Sequence, residues 1–155
     1  MMMKDMTPVG EPVVIGSYTF SEADIVRFAR KFDPQYFHTD PERAKESVLG
    51  GLCASGWHVC SAWMQVNLKF LFAEFAKLAA AGKAPPKMGP AMGFRDLKWL
   101  KPVYAGDTVT YSNTFLSQTD APAREDRVIN EILCEGVNQR GEKVISFIPR
   151  VVEFK

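Results

Sequence analysis

Histidine and cysteine are scarce in this chain, with two and three residues respectively. Cys53, Cys60 and Cys134 form no Cys-x-x-Cys pair and are odd in number, so the pattern encodes no disulfide framework. They read as free thiols of a reducing compartment, which predicts a cytoplasmic protein. His38 and His58 stand at no ligand spacing with each other or with a cysteine pair, so no structural zinc or other metal site is expected. An excess of either charge is also missing: 19 Lys and Arg face 18 Asp and Glu, for a net charge of +1. That balance argues against nucleic acid or an acidic surface as partner. No apolar run approaches the ~18 residues that a membrane-spanning helix needs. The opening MMMKDMTPVGEP lacks a long apolar stretch and does not read as a signal peptide. Internal repeats and low-complexity linkers are absent as well. The 155 residues, 46% hydrophobic and 24% charged, fit a single domain over 1–155, with its core from about residue 13 to 154.

Against this background the stretch Asp33-Pro34-Gln35-Tyr36-Phe37-His38 stands out. Five positions separate Asp33 from His38, which places them about 140° apart on a helix and on opposite faces of a strand. Pro34 pushes Asp33 out of the helical region and ends any preceding helix. The segment therefore reads as a loop, and a loop can turn both side chains to one place. An acid and an imidazole converging near neutral pH are the parts of a general acid–base pair. On spacing alone, a turn aspartate before proline and a structural loop histidine are the favoured reading.

The pattern around this stretch predicts an α+β layout. Val13 to Phe20 reads as a strand. Ser21 is an N-cap candidate for a helix carrying Ile25, Phe28, Ala29 and Phe32 at helical spacing. Asp40-Pro41-Glu42 looks like a cap, a first-turn proline and a first-turn acid, starting a short helix that runs to about Ser47 before Gly50-Gly51. Ser55 is the most simply read cap of the longest element, at roughly 1.5 Å per residue close to 40 Å of helix. One stripe of it runs through Trp57, Cys60, Met64, Leu68, Leu71, Phe75 and Leu78, and a second through Val59, Trp63, Val66 and Phe70. Two stripes predict that most of this helix is buried, as core or as dimer packing. Lys83 to Pro90 reads as a loop and Ala91 to Leu100 as a strand. Lys101 to Gly106 reads as a bend, Thr108 to Ser117 as a strand, and Asp120 to Asp126 as a polar loop. Val128–Val137 and Val144–Phe154 flank a turn, with Pro149 expected at an edge or bulge. The sum is a curved antiparallel sheet wrapped on one central helix.

Three motifs in this order resemble the MaoC-like dehydratases, the group that includes the R-specific enoyl-CoA hydratases. The family pattern Asp-x-Asn-Pro-x-His, with an acid two places on, is met by Asp33, His38 and Asp40, while Gln35 stands for the Asn and Tyr36 for the Pro. Gly51-Leu52-Cys53-Ala54-Ser55-Gly56 matches the entry to the central helix, with Ser55 where a His is usual. Leu97 to Thr108 resembles the strand-to-bend run that ends Pro-Val-x-x-Gly-Asp-Thr. The resemblance spans roughly Tyr18 to Phe154 and implies a single hotdog domain, a long central helix wrapped by a curved antiparallel sheet.

It further implies that Asp33 and His38 are catalytic and grip one water, which adds reversibly across the 2,3 double bond of an enoyl thioester. Gly56 would bind substrate through its backbone N–H at the thioester oxygen, with Ser55 shaping that site. No resident cofactor is implied. Coenzyme A, or an acyl carrier, arrives as part of the substrate, and the protein is expected to be at least a homodimer with acyl tunnels near the interface. A thioesterase on the same fold and a non-catalytic acyl-CoA-binding subunit are the competing functions. Asp40 is expected to cap a helix and Asp107 to hold a turn. His58 is expected to have no chemical role, and Cys53 and Cys60 to be buried and unreactive.

Overall fold

A computed structural model describes residues 1–155. After a short 3₁₀ turn at Met3–Asp5, the elements are β1 (Pro12–Thr19), α1 (Glu22–Phe32), α2 (Tyr36–Thr39), α3 (Pro41–Lys45), α4 (Gly56–Ala80), β2 (Lys87–Trp99), β3 (Thr108–Ala121), β4 (Arg124–Asn138) and β5 (Lys143–Phe154). The five strands form one antiparallel sheet in the order β1-β3-β4-β5-β2. The sheet wraps around α4, which is the hotdog arrangement. One core joins Ile15 of β1, Val59, Ala62, Trp63 and Val66 of α4, and Val109, Tyr111, Phe115, Ile132, Cys134, Ile145 and Phe147 of the sheet.

The caps follow the sequence. The Ser21 side chain accepts the N–H of Asp24, and Asp40 accepts those of Glu42 and Arg43, closing off α1 and α3. Ser55 differs. It occupies the cap position of α4, but its hydroxyl makes no capping hydrogen bond.

Four expectations need correction. The stretch from Asp33 to His38 is not all loop: Tyr36–Thr39 closes one α-helical turn. The segment from Lys83 to Pro90 is not all loop either, because Lys87 and Met88 already pair with Phe154 and Glu153. Nor is 120–126 a loop. β3 and β4 run into it and turn at Pro122-Ala123, where Ala123 has φ of 58°. A proline followed by a positive φ is the conformation of a type II turn, for which glycine is the usual signal. Pro149, expected at an edge or bulge, lies inside β5 between two neighbours. Its missing N–H falls in an interruption of the ladder between Glu131↔Arg150 and Cys134↔Phe147.

The largest difference concerns α4. Only its second stripe is in the core. The first stripe is open at Trp57 (50%), Met64 (44%) and Leu68 (40% exposed), with Phe72 exposed beside it, whereas Cys60 packs half-buried against the core and Leu71, Phe75 and Leu78 are half-buried. The neighbouring edge strand β2 is exposed along nearly its whole length.

Candidate active site

α1 ends at Phe32, and Asp33 takes the C-cap position with φ of −154°. The chain then re-enters a helix at Tyr36, so the break at Pro34 turns His38 back toward Asp33. Their side chains converge, with His38 Nε2 3.4 Å from Asp33 Oδ2, and both are largely shielded from solvent. That separation is longer than a made N–H···O bond.

Each partner is fixed from its other side. His38 Nδ1 lies 2.6 Å from the backbone carbonyl of Cys53. A carbonyl only accepts, so Nδ1 carries the hydrogen, and in the neutral ring Nε2 is left as a lone-pair acceptor. Gln35 Nε2 donates to Asp33 Oδ1 at 2.8 Å, leaving Oδ2 facing the imidazole. Two acceptors thus face each other across a gap that a donor with two hydrogens can satisfy. The residues that depart from the family pattern are accounted for locally. Gln35 reaches the aspartate. Tyr36 is the first helical residue of α2, a position where φ is near proline's own value for any residue.

The strand-to-bend motif holds this arrangement against the start of α4. Cys53 N–H donates to Phe37 O at 3.2 Å, Ala54 N–H to Val103 O at 2.8 Å and Ala105 N–H to Leu52 O at 3.1 Å. Asp107 is the buried clasp of the bend, as expected. Its carboxylate accepts from the N–H of Tyr104, from Gln139 and from Arg140. Burial works against its charge, but the bonds from Arg140, Gln139 and Tyr104 win and hold its carboxyl below the ordinary range.

His38 and Gly56 line one pocket of about 320 Å³, walled by Phe37, Leu49, Val59 and Trp99 and with Lys101 beside them. The Lys101 ammonium is paired with Glu142. Gly56 opens α4, so its N–H belongs to the first turn, which has no acceptor within the helix. The glycine is required by packing. A Cβ at Gly56 would lie 2.4 Å from Cε2 of Trp99, so the indole already fills the space beside it. Ser55 is fully buried, and its Oγ has no hydrogen-bond partner. A buried hydroxyl without a partner is costly unless something else satisfies it.

Outside this pocket, His58 is enclosed by aromatic rings. It stacks on Phe28 at 4.6 Å and meets Phe20 and Tyr18 edge-on at 5.0 and 5.9 Å. Burial pushes its pKa down to about 4. The cysteines are free thiols, and burial raises Cys53 to about 11, so it is not a nucleophile near neutral pH. No three His, Cys, Asp or Glu side chains converge as a metal-ligand set. The sequence pattern missed three contributors: the Cys53 carbonyl, a backbone group without a sequence signal; Gln35 as the holder of Asp33; and Trp99, whose only signal is its place in the strand-to-bend motif.

Comparison with known proteins bears on the fold and the family. A crystal structure of a MaoC-like dehydratase from Rhodospirillum rubrum is 32% identical, with a TM-score of 0.78 over 100% of this chain and 97% of that one. The R-hydratase PhaJ1 of Pseudomonas aeruginosa, at 19% identity, shares the fold with a TM-score of 0.62 over 96% of this chain and 83% of its own. An uncharacterized Bacillus subtilis protein, YdeM, is 28% identical over 143 residues, 92% of each chain. A family model described as the MaoC like domain matches residues 5–132, and the chain belongs to that family.

Proposed function

We propose that this protein is a hydratase/dehydratase of acyl thioesters, adding water reversibly to a 2-enoyl thioester to give the 3-hydroxyacyl thioester. The observation that carries the reading is the pair of acceptors, His38 Nε2 and Asp33 Oδ2, facing each other at 3.4 Å with their outer sides already bonded. A water seated on the open side of the pair, within hydrogen-bond reach of both atoms, donates one hydrogen to each and presents its oxygen lone pair outward. As that oxygen bonds to C3, the double-bond electrons move onto the thioester oxygen. The Gly56 N–H donates to this oxygen, with the partial positive charge of the α4 N-terminus behind it. Nε2 takes the water proton, and C2 takes a proton back from the pair. One H and one OH have then been added, and no protein group has changed. Ser55 Oγ is buried and unpartnered behind Gly56 and does not line the pocket, so its part in this reading is to shape the start of α4.

Coenzyme A or an acyl carrier enters as part of the substrate, and no resident cofactor takes part. The acyl chain then continues along α4, where an apolar groove of about 410 Å³ lies between the helix and β2.

The assembly we propose is a homodimer. β2 has an unpaired outer edge, and the exposed Phe94 on it lines one apolar groove with the open residues Trp57, Met64 and Leu68 of α4. Such a face on an exposed edge strand needs a partner. A second copy offers the same face and would roof the groove. Sedimentation should give twice the chain mass, and a monomer at micromolar concentration would refute the dimer.

The functional test is hydration of crotonyl-CoA, followed by loss of the conjugated thioester absorbance with free thiol read in the same cuvette. Loss without thiol is the expected result. Thiol release would instead make the protein a thioesterase. If this and a panel of longer and branched enoyl thioesters bind without turnover, it is an acyl-binding subunit.

A further inference from the structure

The groove between α4 and β2 is apolar except at one point. Its walls are Trp57, Cys60, Met64, Leu71, Phe94 and Phe147, and among them lies Asn67, 91% buried by its 9% relative exposure. Asn67 belongs to a three-member chain that links α4 to β3. Trp63 Nε1 donates to Asn113 Oδ1 at 3.0 Å, and Asn113 Nδ2 donates to Asn67 Oδ1 at 2.8 Å. The indole can only donate, so the carbonyl of Asn113 must face it. The Asn113 amide nitrogen must then face Asn67, which in turn must present its own carbonyl. The indole donor thus fixes the orientation of both amides. What remains at the end of the chain is the Asn67 NH₂, which donates to no protein acceptor, on a residue that lines the groove.

Asn67 is also placed on the substrate's line. It follows Gly56 by eleven residues on one continuous helix. At 100° and 1.5 Å per residue, Asn67 sits within about 20° of Gly56 around the helix and about 16 Å below it. Cys60 and Met64 lie between them along the same face. The groove adjoins the catalytic pocket at the pair Trp57 and Trp99, whose rings meet edge to face at 5.0 Å. A thioester held at Gly56 with its chain running down α4 therefore passes two apolar turns and arrives at one unpaired amide donor.

We infer that the substrate's acyl chain bears a hydrogen-bond-accepting oxygen, as a keto, ester or hydroxyl group, about 16 Å from the thioester, and that Asn67 Nδ2–H reads it. This rests on the hydration reading above. The energetic reason is asymmetric. A plain alkyl chain covers the amide and removes its access to water without replacing that bond, whereas a chain with an acceptor at that depth restores it.

The test compares 2-enoyl-CoA substrates of increasing length, each as a plain chain, with a keto group near the distal end, and with a hydroxyl there. Wild type should favour the keto and hydroxyl forms by about tenfold in kcat/KM. The preference should appear only at the length that reaches Asn67. Asn67→Asp is nearly isosteric and still accepts from Asn113, but it replaces the free donor by an acceptor. It should lose the keto preference and keep the hydroxyl preference, because a hydroxyl can donate to it. Asn67→Leu should lose both. A merely structural role for the network would move all three substrates together.

Equal ratios in wild type and variants, or preference for the plain chain at every length, would overturn the inference. If wild type hydrates none of these compounds, the hydratase reading fails. Asn67 is then judged by the affinity of saturated keto-acyl and plain acyl thioesters for wild type and Asn67→Asp. Tighter keto binding that Asn67→Asp abolishes supports the inference, and equal affinities reject it.

Discussion

The two histidines are equally buried, His38 at 7% and His58 at 6% exposure, yet they occupy opposite kinds of site. His38 has a carbonyl on one ring nitrogen and a carboxylate facing the other. His58 sits among Phe28, Phe20 and Tyr18, and its Nδ1 has no partner. The only charges that bear on it, Asp24 and Arg27, oppose each other and leave desolvation to set its titration. Burial alone makes a histidine inert and neutral. What distinguishes His38, and suits it to the proposed proton transfer, is the pair of polar groups that fix its tautomer and its direction. The surroundings of neither ring were readable from sequence, and the difference between them lies in a backbone carbonyl and a helix break.

The sharpest way to break this comparison is to remove the polar side of the His38 site. Asp33→Asn and His38→Ala should each fold with near-native melting temperatures and lose about 10²–10⁴-fold in kcat/KM for crotonyl-CoA. A single variant that keeps near-wild-type rates would end the paired role. His58→Phe, by contrast, should leave the crotonyl-CoA rate within a few-fold and act on stability. The folded pKa of His58 is about 4, below the ordinary 6.5 of the unfolded chain. Between those values the unfolded state takes up a proton that the folded state refuses. Stability is therefore lost as pH falls from about 6.5 to about 4, by up to roughly 3 kcal/mol, with no further loss from this group below that. Denaturant titrations at a series of pH values should show that segment in wild type and not in His58→Phe. The same slope in both would mean that the aromatic cage does not hold a neutral ring.

Smaller effects refine the His38 side. Gln35→Ala removes the only side-chain hydrogen bond that Asp33 receives and should cost about tenfold in kcat/KM, since one hydrogen bond to a charged group is at stake. Full activity would mean that Asp33 is held by packing alone. Tyr36→Pro should be nearly silent, within about twofold in rate, because proline's φ suits the first position of a helix. A collapse of activity there would show that the Tyr36 ring, stacked under Arg43 at 4.8 Å, positions the turn.

Much of the architecture was legible from local pattern. Ser21 and Asp40 announce their helices because capping is a local hydrogen bond. The acid–histidine spacing, read with Pro34 between, required a break in the helix, and the break is there. Other features were not local. The double apolar stripe of α4 was read as buried, but periodicity reports which faces are apolar and not what covers them. The turn at Pro122-Ala123 escaped because its positive φ falls on alanine instead of glycine. The need for glycine at position 56 was visible, but its cause, the Trp99 indole, lies on a strand 43 positions away. The polar chain from Trp63 through Asn113 to Asn67 joins a helix to a strand across the core, and no spacing rule could find it.

The central claim is that Asp33 and His38 act together on one water, and a double-mutant cycle tests it most directly. Crotonyl-CoA hydration is measured for wild type, Asp33→Asn, His38→Ala and the double variant, each verified as folded. Groups that act as a unit are strongly non-additive. The double variant should be no slower than the slower single variant, within a few-fold. If the two losses multiply, the side chains work independently and the shared-water account is wrong.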